Sequence, residues 1–175
     1  MKKLLSLLIV SAFVATSAGA HDVVLRNQGK AILGVSYPAD WKQVVDKNHV
    51  IATSEDGQAW SVISTLDDIQ DQQAGVAKVK EGFEDYLKDI KYDELTKTES
   101  GSLVLSGVGK GKTTDVDVVF TSAVFESGPG RLSAIAFIVD ADIEKYYEKT
   151  ILAICSSILV EGDFIEEAEQ QADER

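Results

Sequence analysis

The sequence has few of the residues that crosslink, ligate metals or interrupt regular structure. Its 175 residues include one cysteine, two prolines and two histidines. A single cysteine cannot form an internal disulfide, so a folded domain must be held together by its apolar core. We interpret this residue, Cys155, as part of that core, because it lies in an apolar series with the spacing of one helix face.

Basic residues are also scarce. The chain carries 17 lysines and arginines against 29 aspartates and glutamates, which gives a formal net charge of −12. This charge repels the phosphates of nucleic acids and of anionic lipids, so neither is expected as a partner. An acidic surface is an ordinary means of staying soluble, and it also favours a cationic partner.

Long apolar runs are missing after the first twenty residues. Residues 1–20 begin with two lysines, continue with the apolar run Leu4–Val14 and end in small residues. This order predicts a secretory signal peptide that is cleaved after Ala20, and therefore a periplasmic or secreted protein. The run is too short for a stable membrane-spanning helix, so no membrane insertion is predicted.

The segment SGVGKGKTT, Ser106–Thr114, has some features of a phosphate-binding loop. Such a loop needs two glycines separated by four residues, and the helix that follows completes the anion site. Here Gly107 leaves the spacing one residue short, and the chain continues with the alternating pattern of a strand. The segment therefore predicts a β-hairpin turn with exposed lysines at its tip.

Turn signals at Asp56-Gly57, at Ser100-Gly101 and in residues 127–130 separate strand-like runs. The predicted strands comprise residues 31–37, 49–54, 59–66, 94–100, 102–109, 115–125 and 131–139. Two amphipathic helices are predicted, over residues 74–90 and over Ala141–Leu159, the second with Asp140 as its N-cap.

These elements predict an α+β fold, a three-layer α/β/α sandwich with a mainly antiparallel sheet of about six or seven strands. Residues 21–160 form this single domain. Residues 161–175 are predicted to be an acidic, mobile tail.

The segment GVSYPADW, Gly34–Trp41, ends a strand in Tyr37-Pro38 and continues with an acidic residue and Trp41. This signature, with the order of elements up to Leu159, resembles the PsbP-like superfamily, which includes DcrB-type exported bacterial proteins. The resemblance implies a binding or accessory protein on an α/β/α sandwich and no shared catalytic residues.

Few residues are candidates for metal binding or catalysis. After cleavage, the amine and imidazole of His21 could bind copper together with His49, or His21 could be an exposed, unstructured terminus and His49 a turn residue. We assign no metal and no cofactor. We interpret two groups of acidic residues as solvated surface. One comprises Asp67, Asp68 and Asp71, with Asp71 as a helix cap, and the other is the pair Asp115 and Asp117.

The leading hypothesis is a non-enzymatic, exported accessory protein. It binds an unidentified envelope protein through its sheet edge or through a groove that includes Tyr37, Trp41 and Trp60. The alternative is a protein that binds a small molecule or metal ion in a pocket between helix and sheet. An enzyme of unrecognised type is a third hypothesis, and the sequence does not indicate the oligomeric state.

Overall fold

The computed structural model describes residues 20–164, so almost all of the predicted signal peptide and residues 165–175 lie outside the described part of the chain. Within it, the strands are β1 Ala20–Asn27, β2 Lys30–Pro38, β3 Lys42–Val45, β4 His49–Thr53, β5 Ala59–Leu66, β6 Leu87–Tyr92, β7 Thr96–Lys97, β8 Leu103–Gly111, β9 Asp117–Gly128, β10 Arg131–Asp140 and β11 Leu159–Val160. The helices are α1 Gln72–Tyr86 and α2 Glu144–Ser156, and a single 3₁₀ turn, Ala141–Ile143, precedes α2.

The strands form two antiparallel sheets. The main sheet has the order β3-β4-β5-β10-β9-β8-β6, and β7 also pairs with β8. The second sheet is small and has the order β1-β2-β11. The predicted antiparallel α+β fold is confirmed. The main sheet also gains strands that the sequence did not predict, since β3 and β6 form its two outer ends.

The main sheet is covered on both faces. Helix α1 packs on one face, which we call the α1 face, through Val76 and Phe83. Helix α2 and the small sheet cover the opposite face, the α2 face, where Ile151 and Leu33 join one apolar cluster. Both faces of the central strands β9 and β10 are therefore buried, which accounts for the apolar centre of residues 131–139.

The first helix ends earlier than its sequence pattern suggests. Residues 87–90 were predicted to be helical, but Leu87 is extended, with φ −115° and ψ 153°, and begins β6. Leu87 and Ile90 still reach the apolar cluster of the α1 face. The apolar pattern therefore predicted the buried residues correctly, but the predicted conformation of residues 87–90 is wrong. Pairing with the open edge of β8 supplies the backbone hydrogen bonds that a longer helix would otherwise provide.

The caps of the two helices differ from one another. The Asp71 carboxylate accepts a hydrogen bond from the backbone N–H of Ala74 at 2.8 Å, which confirms the predicted cap of α1. Asp140 makes no side-chain capping bond, so the predicted cap of the second helix is wrong. The 3₁₀ turn occupies that position, and Ile143, the residue before α2, packs into the apolar cluster instead.

The segment SGVGKGKTT is part of a hairpin, as predicted. Residues 106–111 belong to β8, the chain turns over residues 112–116, and β9 follows. Asp115 and Asp117 form ion pairs with Lys88 and Lys110, at 2.6 and 3.4 Å. These exposed carboxylates are bound to lysines of the same surface, in line with their interpretation as solvated surface residues.

The described chain extends slightly into the predicted tail. The Glu161 carboxylate accepts a hydrogen bond from Arg131 at 2.7 Å, and Asp163 accepts one from the backbone N–H of Val160. Residues 161–164 thus contact the domain, and the rest of the predicted tail lies outside the described residues. No helix in residues 20–164 has the length and apolar character needed to cross a membrane.

Gly107 provides a test of the packing on the α1 face. A Cβ at this position would collide with the Lys91 carbonyl and would lie 2.5 Å from the Phe120 ring, which packs against Phe83 with centroids 4.3 Å apart. We therefore expect Gly107→Ala to lower the free energy of unfolding by about 1–3 kcal/mol. Urea unfolding measures this change.

The matched control is Gly82→Ala. Gly82 lies within α1, where an added Cβ meets nothing within 4 Å. Alanine should raise the free energy of unfolding there by about 0.5–1 kcal/mol, because it lowers the conformational entropy of the unfolded chain. Equal effects of the two substitutions would contradict this account of Gly107.

Candidate functional site

The site is built around two aromatic rings at the end of β2. The Trp41 N–H donates to the Pro38 carbonyl at 3.0 Å and closes a tight turn. The turn brings Trp41 back over Tyr37, with ring centroids 6.0 Å apart and planes inclined by 21°. Both side chains are buried. The spacing of tyrosine, proline and tryptophan therefore has a local cause, since it stacks the two rings.

Tyr37 lies beneath Trp41 and is fully buried. Its hydroxyl accepts a hydrogen bond from the Ser61 hydroxyl at 3.0 Å. Burial raises the pKa of Tyr37 to about 12, so the phenol stays neutral at physiological pH. Tyr37 thus supports the site from below and does not present its hydroxyl to solvent.

Helix α2 adds a third ring and a hydrogen bond to the β4–β5 turn. The Tyr147 ring stands edge-on to Trp41, with centroids 6.1 Å apart, and its hydroxyl donates to Asp56 Oδ1 at 2.7 Å. Asp56 also accepts hydrogen bonds from the Ser54 hydroxyl and the backbone N–H of Gln58. Together these bonds, that of Ser54 above all, hold the pKa of Asp56 below its usual value, so this carboxylate is charged at neutral pH.

A groove of about 420 Å³ opens beside these residues. We call it the acidic aromatic groove, and its lining residues are Pro38, Asp40, Trp41, Glu55, Asp56, Tyr146, Tyr147 and Thr150. Tyr146 is 76% exposed at its rim and stands edge-on to Tyr147. None of the ion pairs within residues 20–164 involves one of the three groove carboxylates.

Negative charge extends beyond the groove. Burial and the nearby carboxylates of Asp56 and Asp142 raise the pKa of Asp140. Ionisation of Asp140 is therefore disfavoured, first by its burial and then by repulsion from these two carboxylates. A cation in the acidic aromatic groove would reduce this repulsion and would also lie next to aromatic rings that attract it.

The predicted third member, Trp60, lies elsewhere. Its neighbours Ala59 and Ser61 are buried on the α2 face, and because side chains alternate along a strand, Trp60 packs with the cluster of the α1 face. There it stands edge-on to Tyr86, with centroids 5.5 Å apart. Trp60 and Trp41 thus do not line one groove.

The two histidines stay untested as a copper site. His21 lies in β1 opposite Tyr37, and its side chain is not among those that the structure describes. His49 lies in β4, with Nδ1 3.1 Å from the Asn48 side-chain oxygen. The described residues contain no group of three or more His, Cys, Asp or Glu side chains placed to hold a metal ion.

A second cavity, of about 580 Å³, lies between α2 and the main sheet. Its floor is apolar and includes Phe125, Ile135 and Ile158, and its mouth carries Lys97 and Glu126 among other polar residues. Cys155 also lines it, and burial raises the pKa of this thiol to about 12. A thiol with this pKa is protonated at neutral pH and is therefore a poor nucleophile.

Solved structures of other proteins share the fold of this chain. No family model matches the sequence, and no curated protein matches it significantly. The solution structure of cyanobacterial PsbP (CyanoP) from Synechocystis is similar to 86% of this chain and 98% of its own, with a TM-score of 0.53 at 10% identity. The chain has the PsbP-like fold. The predicted resemblance is confirmed at the level of the fold, and a PsbP-like fold by itself assigns no ligand.

Two other solved structures are similar over most of their length. One is LpqN of Mycobacterium tuberculosis, which is described as involved in cell envelope biogenesis. The similarity covers 81% of this chain and 91% of the LpqN chain, with 12% sequence identity and a TM-score of 0.49. The other is protein PA94 of Pseudomonas aeruginosa, which is described as a putative regulator of unknown function. The similarity covers 75% of this chain and 91% of the PA94 chain, with 16% sequence identity and a TM-score of 0.44.

The hydrogen bond between Tyr147 and Asp56 can be tested by its pH dependence. We expect Tyr147→Phe to lower the free energy of unfolding by about 1 kcal/mol at neutral pH, because a buried side chain loses a partner. The folded-state pKa of Asp56 is lowered, so the stabilisation is complete above the ordinary carboxyl pKa and is lost as the pH falls through the folded value. The difference between variant and wild type should therefore be smaller at an acidic pH below the folded value than at neutral pH.

Urea unfolding at both pH values measures this difference. Tyr146→Phe is the control, because Tyr146 is exposed and its hydroxyl takes part in none of the described hydrogen bonds, so it should change stability by no more than about 0.5 kcal/mol. A Tyr147→Phe effect that is the same at both pH values would contradict the role of the ionised Asp56 carboxylate.

Proposed function

We propose that this protein is a non-catalytic, exported accessory protein that binds a basic segment of an envelope protein in the acidic aromatic groove. The supporting observation is the combination of three carboxylates that form no ion pair within residues 20–164 and an exposed aromatic rim. A lysine or arginine side chain matches both features, since carboxylates pair with its charge and aromatic faces attract it.

The charge of the whole chain supports the same choice of partner. A net charge of −12 raises the local concentration of cationic molecules around the surface and speeds their encounter with it. The groove then supplies the local contacts. Because the Asp56 carboxylate is held by Tyr147, Ser54 and Gln58, its position does not have to be fixed again on binding.

Binding of a labelled lysine-rich peptide, followed by fluorescence anisotropy, tests the proposal. We expect the double variant Asp40→Asn and Glu55→Gln to raise the dissociation constant roughly tenfold, since two exposed charge pairs are lost. Asp56 is left in place because it also holds Tyr147. Added salt should weaken binding to the wild type more than to the variant.

The matched control removes the same charge at a distant turn. Asp67→Asn with Asp68→Asn changes two exposed carboxylates between β5 and α1, far from the groove along β5, and should leave binding almost unchanged. If the two double variants weakened binding equally, the net charge and not the groove would be the cause. In cells, a photoreactive amino acid at Tyr146 should capture the partner, and the same label at the exposed Tyr86 on the α1 face should not.

A second candidate function is favoured by the cavity between α2 and the main sheet. Its apolar floor and its charged mouth suit a small amphipathic molecule, and its volume is within the range of known ligand sites. In this function the protein is a small-molecule binder, and the acidic aromatic groove has no part in it.

Thermal unfolding in the presence of a ligand panel distinguishes the two functions. A ligand that binds only the folded state raises the melting temperature by mass action. The panel contains medium-chain fatty acids, apolar amino acids, and copper, zinc and calcium ions. We expect Ile158→Trp, which fills the cavity at a partly exposed position, to abolish such a shift, and Tyr146→Trp to leave it intact. If no compound shifts the melting temperature, or if Ile158→Trp leaves the shift unchanged, this candidate fails.

A further inference from the structure

Strand β3 is an exposed end of the main sheet. It pairs with β4 on one side, and no other strand within residues 20–164 pairs with its outer side. Its two valines are the exposed apolar residues of the strand, Val44 at 64% and Val45 at 55%. An unpaired strand with exposed apolar side chains is a surface on which another strand can add.

The opposite end of the sheet is protected from such pairing. In β6 the register with β8 shifts between Lys88 and Lys91, and Asp89 has a positive φ of 53°. An irregularity of this kind bends the strand and interrupts its row of outward backbone groups. The register of β3 on β4 is regular over its whole length, so its outer edge has no such interruption.

The backbone of β3 determines which groups are free. The Asp46 N–H donates to the His49 carbonyl at 2.9 Å, which makes Asp46 and His49 a hydrogen-bonded pair. Because these pairs alternate along antiparallel strands, Val44 and Lys42 also direct their backbone groups toward β4. Gln43 and Val45 therefore direct their N–H and C=O groups outward, away from the sheet.

We infer that β3 pairs antiparallel with β3 of a second copy of this chain, with Val44 opposite Val44 of the second copy. This register places Gln43 opposite Val45 of the second copy, so the outward backbone groups of both residues gain partners. It joins the two main sheets into one continuous sheet and covers the exposed valines of both chains.

The charges of β3 and Asp46 favour this register, and they favour a second copy of the chain as the partner of the exposed edge. In this register the two copies are related by a two-fold axis that passes between the two Val44 residues. Lys42 then lies opposite Asp46 of the second copy, and the same pair repeats on the other side of the axis. A lysine on an edge strand ordinarily opposes pairing. Here each exposed lysine meets an exposed carboxylate, because the segment KQVVD is complementary to itself when it is reversed.

Single cysteines test both the pairing and its register. All variants also carry Cys155→Ala, which removes the native thiol. The full chain is expressed, including residues 1–20. At a non-hydrogen-bonded antiparallel pair the Cα atoms are about 4.5 Å apart, within the range of a disulfide. We therefore expect Val44→Cys to form a disulfide-linked dimer with oxidised glutathione, and sedimentation velocity of the reduced protein to show reversible dimerisation.

Val45→Cys is the matched control, because it lies on the same strand with similar exposure. Two copies of residue 45 would be diagonal to each other, about 7–8 Å apart, where a disulfide does not form without backbone movement. Equal crosslinking at both positions, or sedimentation as a monomer at every concentration, would overturn the inference.

The charge pair gives an independent test in the protein without cysteine substitutions. Lys42→Asp should raise the dimer dissociation constant roughly tenfold, because carboxylates then face each other on both sides of the axis. Adding Asp46→Lys to the same chain should restore dimerisation, since the opposite charges are paired again. Failure of this rescue would argue against the proposed register.

Discussion

Burial of both faces of the main sheet is the constraint on which the structure depends. Adjacent residues of β9, Ala123 and Val124, are both buried, one on the α2 face and one on the α1 face. Neither face can be exposed to water without losing much of the hydrophobic stabilisation, so both covering layers are required. The two helices and the small sheet provide those layers. At the β3 end of the main sheet, the outward backbone groups have no strand partner within residues 20–164.

The acidic aromatic groove lies where the layers meet. Trp41 comes from the turn after β2, Tyr147 from α2 and Asp56 from the turn between β4 and β5, and their contacts join these three parts of the chain. A groove assembled in this way is held by buried rings below and presents carboxylates above. Its shape is therefore coupled to the stability of the fold, whereas Asp40 and Glu55 at its rim can change with little effect on packing.

Much of the fold could be predicted from local patterns. The strand 59–66 was predicted with its observed ends, because its side chains alternate and the turn signal Asp56-Gly57 precedes it. Strands β3 and β6 were not predicted, since both lie at the ends of the sheet, where one side of the strand is open. Residues 87–90 continue a helical apolar pattern, and only the presence of the β8 edge makes the extended conformation better.

For the site, the sequence indicated Trp41 and its stacking partner but not their surroundings. Tyr146 and Tyr147 lie within the predicted second helix and Asp56 lies in a predicted turn, and neither pattern indicates that they meet. The groove was expected to include Trp60, but the alternation of side chains along β5 puts Trp60 on the α1 face. The sequence by itself determined the antiparallel class, the turn that stacks Trp41 on Tyr37, and the acidic charge, because these depend on neighbouring residues and composition. The tertiary structure decided which carboxylates share a groove and which strands remain at the sheet ends, because those relations join residues that are distant along the chain.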